Sequence, residues 1–258
     1  MSFCLSRLDD PFFAGFEHAS ERLRPLEGDR WPTLEQIDDA LRPLLSPHGL
    51  RCAPDLPRRR KRHAPLCDRY DQRIVDKGEV PTRAGSWHDL FGALVFATFP
   101  HAKRALHRRQ ARLSMKQQIP GSVRLTNRCP EADLLTRFDE GGSLVFLPEG
   151  AALPMAWRTS APVDLRAVES AHRTCVFGHG ALEAHWLGRA LGRSTLLVVP
   201  VPASAFREGH SGAAGRDEQW PEVFDVALSE ILERRTYEQL LAIAFVARFN
   251  DLACAPMK

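Results

Sequence analysis

Between Ser86 and about Met115 the sequence specifies two helices joined at a corner, and no other stretch restricts the fold as much. Ser86 is a natural N-cap with Asp89 at the third helical position, and Trp87 to Phe99 then makes one short apolar helix. Pro100 cannot continue that hydrogen-bond ladder, because it has no N–H, yet its fixed φ suits the first turn of a new helix. A second, strongly basic helix is therefore predicted from Pro100 to about Met115, at an angle to the first.

Other elements follow from the same signals. Thr33 and Gln36 form a capping box, and Leu34, Ile37 and Leu41 recur at helical spacing, so a helix starts there and fades at Pro43. Leu50 to Ala53 reads as a short extended piece, Arg58 to Arg62 as an exposed basic loop, and Tyr70 to Lys77 as a helix stopped by Gly78. Asp133 to Phe138, then Asp139-Glu140-Gly141-Gly142, then Ser143 to Leu147 reads as a β-hairpin with a glycine turn. Asp164 to Gly188 is expected to be helical in two pieces, Ser194 to Val201 a β-branched buried strand, and Ala203 to Gly215 a loop. From Trp220 two helices are expected, the second opened by the capping box Thr236/Gln239 and carrying Leu240, Leu241, Ile243, Ala244 and Val246. The result is an α+β fold: a helix-rich single domain with a small sheet (hairpin 133–147 plus strand 194–201) and C-terminal helices. Its parts divide as an N-terminal helical region with the basic loop (1–64), an α+β core (65–205) and a C-terminal helical extension (206–258).

Composition narrows the function classes. With 35 Lys+Arg against 32 Asp+Glu, the net charge of +3 is too small to argue for nucleic acid by itself, so the distribution of charge matters more. Six cysteines lie far apart, without the close pairs of zinc ribbons, and fit reduced thiols in a cytosolic protein. The first residues lack a basic segment followed by an unbroken apolar run, and no run approaches the length of a membrane span. A cytoplasmic location without membrane contact is the expectation.

Candidate chemistry gathers in three places. His88 and Asp89 sit in the first turn of the Trp87 helix, where free N–H groups and the positive dipole end lower an imidazole's basicity; His88 there is a base, a ligand or a satisfied polar side chain. Just upstream, Arg83 can clamp a phosphate or carboxylate at that helix start, or pair with Asp89. Asp139 and Glu140 are adjacent carboxylates beside two glycines that let a backbone or metal approach, although turns also collect solvated acids. His179 and Glu183 stand four apart, with His172 and His185 nearby, a spacing open to a divalent metal or to structural roles. The catalytic candidates are thus His88, Asp89, Asp139 and Glu140; the substrate-binding candidates are Arg83, Trp87, Lys103 and Arg104; the metal candidates are His88, His179 and Glu183. The basic helix and Arg58 to Arg62 can also form a positive face, where the lack of interleaved aromatics leaves phosphate contact as the only mode.

Tyr-x-x-Arg-Ile, Gly78-Glu79-Val80-Pro81-Thr82-Arg83, Trp87-His88-Asp89-Leu90-Phe91, Phe99-Pro100-x-x-Lys103, Phe138-Asp139-Glu140 and Phe177-Gly178-His179 occur in this order. Over about Tyr70 to Val201 the chain so resembles the bacterial family called domain of unknown function 3025, which implies a soluble bacterial protein and no established reaction. It departs from the family pattern at Gly92, where an asparagine is expected, at His107 and Gln110, where an asparagine and a histidine are expected, and in its C-terminal part. The favoured expectation is a cytosolic hydrolase acting on a phosphate-bearing or other anionic substrate, with a divalent metal as possible cofactor. Two alternatives stand beside it. One is a non-catalytic protein binding nucleic acid or an acidic partner through the basic helix and loop; the other is a structural subunit forming a homo-oligomer through its C-terminal helices.

Overall fold

The computed structural model describes residues 2–56, 65–117, 129–158, 162–168, 172–206 and 222–249. The basic loop Arg58 to Arg62 and most of the loop expected after Ala203 lie outside the described residues, as do Trp220 and Leu252. The fold is α+β and helix-rich, with two small sheets.

Short helices open the chain: α1 spans Glu17–Leu23 and α2 spans Leu34–Leu45. The Thr33/Gln36 capping box forms in both directions. The sequence reading stops α2 at Pro43, but the helix runs on through it to Leu45. Pro43 lies in the last turn, where the missing N–H costs a single hydrogen bond, and fully buried Ile37, Leu41 and Leu45 keep the stripe on the core.

Strand β1 (Arg51–Pro54) runs parallel to β2 (Glu79–Thr82), and between them α3 (Tyr70–Lys77) ends at Gly78. Gly78 holds φ +63°, and a side chain there would place its Cβ 1.9 Å from the carbonyl oxygen of Gly49. Glycine is required on both counts. Next come α4 (Trp87–Thr98), buried from Asp89 through Ala97, and α5 (Pro100–Lys116), meeting at Phe99 as the corner predicts. Asp225 caps the start of α5 by accepting from the backbone N–H groups of His101 (2.9 Å) and Ala102 (2.8 Å).

The hairpin reading of 133–147 is only half right. Its first arm is a helix, α6 (Pro130–Gly141), which leads directly into β3 (Gly142–Pro148). Pro130 begins the helix, Glu131 and Asp133 lie in its first turn, and Ala132, Leu135 and Asp139 bury one face together with Leu134 and Phe138. The glycine pair is a helix exit rather than a hairpin turn. Of the expected helices in 164–188 only the second stands as an α-helix, α7 (His179–Trp186); β4 (Arg173–Val176) precedes it. After β5 (Arg193–Val201) and α8 (Glu222–Arg234), the final helix α9 stops at Leu241 (Tyr237–Leu241), and Ala244–Arg248 forms a strand, β6. The main sheet has the order β4-β3-β5-β6, with β3 and β5 parallel and the outer strands antiparallel to them. The C-terminal piece is therefore built into the sheet. A single apolar core reaches from Phe3 to Phe249. No helix among the described residues is long and apolar enough to cross a membrane.

Candidate functional site

Three helix ends meet at one point. The cap of α4, where Ser86 accepts from the N–H of Asp89 at 3.2 Å, sets His88 in the first turn. The last turn of α6 carries Asp139 and Glu140, and the first turn of α7 carries His179. Packing of α7 against α4 and α6 brings these turns together. The sequence Gly178-His179-Gly180 allows the approach: a Cβ on Gly178 would fall 2.5 Å from the backbone nitrogens of Gly141 and Gly142.

At the centre, the Nε2 atoms of His88 and His179 face each other at 3.1 Å. Nδ1 of His179 stands 2.8 Å from the backbone carbonyl of Asp139, and a carbonyl only accepts, so Nδ1 carries the proton and Nε2 presents a lone pair. On the far side of His88, Nδ1 lies 3.3 Å from Oε2 of Glu183. Oε1 of Glu140 stands 3.8 Å from Nε2 of His179, and ligand atoms of His88, Glu140 and His179 all lie within 4.8 Å of one another. Burial pushes the His179 imidazole down to about 3 and keeps it neutral. The Glu140 carboxyl is raised, chiefly by burial. The arrangement is two imidazoles and a carboxylate on three separate helices, with His88 and Glu140 reaching solvent.

Directly behind it is a second polar cluster of different character. Lys103, with no exposed surface, pairs with Oδ1 of Asp139, and its Nζ sits 4.8 Å from the ring centre of Phe96 and 5.6 Å from that of Phe177. Burial acts to raise the Asp139 carboxyl, but the Lys103 ammonium overcomes it and holds the group well below the usual carboxylate range. One turn on, Nδ1 of His107 meets Oδ1 of Asp71 at 2.8 Å.

The remaining sequence candidates go elsewhere. Arg83 takes the ion-pair alternative: Nε and Nη2 both donate to Asp89 at 2.7 Å, and its backbone N–H donates to the same carboxylate at 2.8 Å. Asp89 is thereby committed to Arg83 and the helix cap. Trp87 packs among Trp186 (4.5 Å between ring centres), Trp31 (4.6 Å) and Phe3 (5.6 Å), away from the imidazoles. Arg104 donates to the carbonyl of His48, and Glu183 lies on the wrong side of His88 to share a metal with both Nε2 atoms. On the Nε2 side of His179 the nearby carboxylate is that of Glu140. Gly92 leaves ordinary contact distance, 3.7 Å, between a would-be Cβ and the His179 ring, and Gln110 reaches Thr136 at 3.4 Å.

The charges of the basic helix are largely met within the chain. Arg108 pairs with Glu233, while Arg109 pairs with Glu131 and donates to the carbonyls of Leu232 and Arg235. Sequence reasoning missed Asp225 as the cap of α5 and Gly180 as the neighbour of Glu140. Nothing local marks Asp225, more than 120 positions from its partners, whereas the glycines flanking His179 are a visible sign of close approach.

A family model described as "Protein of unknown function (DUF3025)" matches residues 59–241. Neither a curated protein nor a solved structure matches the chain.

Proposed function

We propose, for a chain that belongs to the DUF3025 family of proteins of unknown function, the activity of a metal-dependent hydrolase whose divalent cation is held by His88, His179 and Glu140. The observation that carries this reading is the facing pair of Nε2 atoms, 3.1 Å apart. Two nitrogens bound at about 2.0–2.1 Å to a tetrahedral metal stand roughly 3.3–3.4 Å from each other, within a few tenths of that spacing. Two imidazole lone pairs repel unless a proton or a metal ion lies between them. Support also comes from behind each ring. The Asp139 carbonyl fixes the protonated nitrogen of His179, and Glu183 lies beside the corresponding atom of His88, the kind of backing that orients metal-binding histidines.

A site with three protein ligands leaves a coordination position for water or substrate. A cation held by His88, His179 and Glu140 would activate water near neutral pH and polarise a carbonyl or phosphoryl oxygen. This chain's own residues orient the ligands and favour an anionic substrate. Arg83 is more than half exposed and within electrostatic reach of Glu183; with Nε and Nη2 on Asp89, its Nη1 is the edge that meets a phosphate or carboxylate. Glu140 serves as ligand rather than general base, because its carboxylate lies on the Nε2 side of His179.

The test is metal content of protein purified without chelator, for the wild type, His88→Ala and His179→Ala. Stoichiometric divalent metal in the wild type, lost from both variants together with metal-stimulated hydrolysis of a chromogenic phosphate ester, is expected. Wild-type protein that neither retains metal nor takes up Zn(II) or Co(II) overturns the reading.

A further inference from the structure

We infer that Gly180 is a positioning residue for Glu140, the space above its Cα being what holds that carboxylate against His179; the inference rests on the metal reading of the same site. Two glycines flank His179, and they are needed for different reasons. Neither has a positive φ, so backbone freedom explains neither. A Cβ on Gly178 would strike backbone, at 2.5 Å from the nitrogens of Gly141 and Gly142 and 2.6 Å from the carbonyl carbon of Glu140. A Cβ on Gly180 would instead fall 2.5 Å from Oε2 of Glu140, the far end of a flexible side chain, and 3.0 Å from its carbonyl oxygen.

Glu140 needs such a seat. Its side chain is half exposed, at 49 %, so solvent competes for it. Its Oε1 stands 3.8 Å from Nε2 of His179, too long for a hydrogen bond. The other oxygen lies in the volume that any residue larger than glycine at position 180 would fill. A methyl group there turns the carboxylate out toward water and leaves two imidazoles without their third ligand. Gly180 thus sets the ligand count of the site without touching the ion.

The experiment is a Co(II) titration followed by visible absorption, on the full chain, for the wild type, Gly180→Ala, Glu140→Gln and the double variant. Loss of an orienting partner typically weakens metal binding by 10–100-fold, and Gly180→Ala is expected to fall in about that range with a spectrum like that of Glu140→Gln. The double variant should bind no more weakly than Glu140→Gln alone, because both changes remove the same contact; a merely structural defect would multiply the two losses instead. Gly180→Ala that binds within about twofold of wild type overturns the inference, as does a double variant whose loss is the product of the singles. If Gly180→Ala does not fold, Gly180→Ala/Glu140→Ala decides: recovery of folding supports Glu140 as the occupant of that space, and continued failure overturns it. Wild-type protein that binds no Co(II) overturns the metal reading and this inference with it, whereas binding that is lost in Glu140→Gln but not in Gly180→Ala overturns the role of Gly180 alone.

Discussion

Asp139 and Glu140 are chemically alike and adjacent in the chain, yet the two clusters they serve are built to opposite ends. Asp139 turns inward to Lys103, which has no exposed surface, so the two charges answer each other, and His107 bonds Asp71 through Nδ1 one turn on. Glu140 turns outward to two imidazoles whose nitrogens face each other. Their carboxyls shift in opposite directions, Asp139 down and Glu140 up. One turn of helix therefore carries a buried ion pair and, one residue later, a carboxylate that opens toward two facing imidazoles. Burial alone does not make a site; what distinguishes the two is whether the protein supplies the countercharge.

The difference predicts unequal effects on stability. Lys103→Met leaves a buried carboxylate without its partner, and breaking a buried pair in this way costs about 3–5 kcal/mol. Denaturant unfolding should show that loss as a lowered midpoint. Glu140→Gln, at a half-exposed group with no paired cation, should stay within about 0.5 kcal/mol of wild type while losing metal. A Lys103→Met midpoint no lower than that of Glu140→Gln would remove the distinction between the clusters. Metal sharpens it from the other side: Co(II) at 100 times its dissociation constant should stabilise wild type by about 2.7 kcal/mol and Glu140→Gln by less.

Acid separates them again. A carboxyl held below its unfolded value contributes stability that is present above about pH 3.9 and is lost as pH falls through the folded value. Asp139→Asn should therefore be less stable than wild type at pH 5–7 and converge with it as acid protonates Asp139 in the wild type. A raised carboxyl has the reverse sign: the folded chain pays to keep Glu140 ionised at neutral pH, and that penalty is relieved as pH falls toward the unfolded value of about 4.3. Glu140→Gln should be equal to or slightly more stable than wild type at pH 7, with the difference fading in acid. Urea midpoints of the three proteins from pH 2 to pH 7 test both slopes, the loss at Asp139 setting in below about pH 3.9 and growing toward the acid end.

Local chemistry was legible where one residue decides it. The caps at Thr33, Ser86 and Thr236, the stop at Gly78 and the restart at Pro100 are all read from the sequence and all form. Readings failed where an apolar run could serve either period. Ala244–Arg248 continues a capped helical pattern, but β5 offers it an antiparallel partner, and the pairing of Thr195 with Val246 and Leu196 with Phe245 prevails over the local preference. Leu134 to Phe138 failed in the other direction, because Gly141-Gly142 resembles a hairpin turn while the helix needs glycine for another reason: a Cβ on Gly142 would lie 2.3 Å from the carbonyl oxygen of Phe138. The site was legible as a set of names. His88, Glu140 and His179 were all candidates, but that Glu140 lies on the Nε2 side of the imidazoles and Glu183 on the far side of His88 depends on packing across 91 positions, which the spacing of Glu183 and His179 on one helix does not reveal.

The smallest expected effect tests whether the open cluster depends on its helix start. Ser86→Ala and Thr33→Ala each remove a hydroxyl that accepts from the N–H three residues on, and each should cost about 1 kcal/mol in thermal or urea unfolding. Their effects on metal should differ. Thr33 caps a helix that carries none of the three side chains of the site, whereas Ser86 fixes the turn that carries His88 and completes, with Arg83, the bonding of Asp89. Ser86→Ala is expected to weaken Co(II) binding several-fold and Thr33→Ala to leave it unchanged at equal loss of stability. Equal metal affinity in the two variants would mean that His88 is held by its packing on His179 and Glu183 rather than by the cap, and that the open cluster is as self-supporting as the closed one behind it.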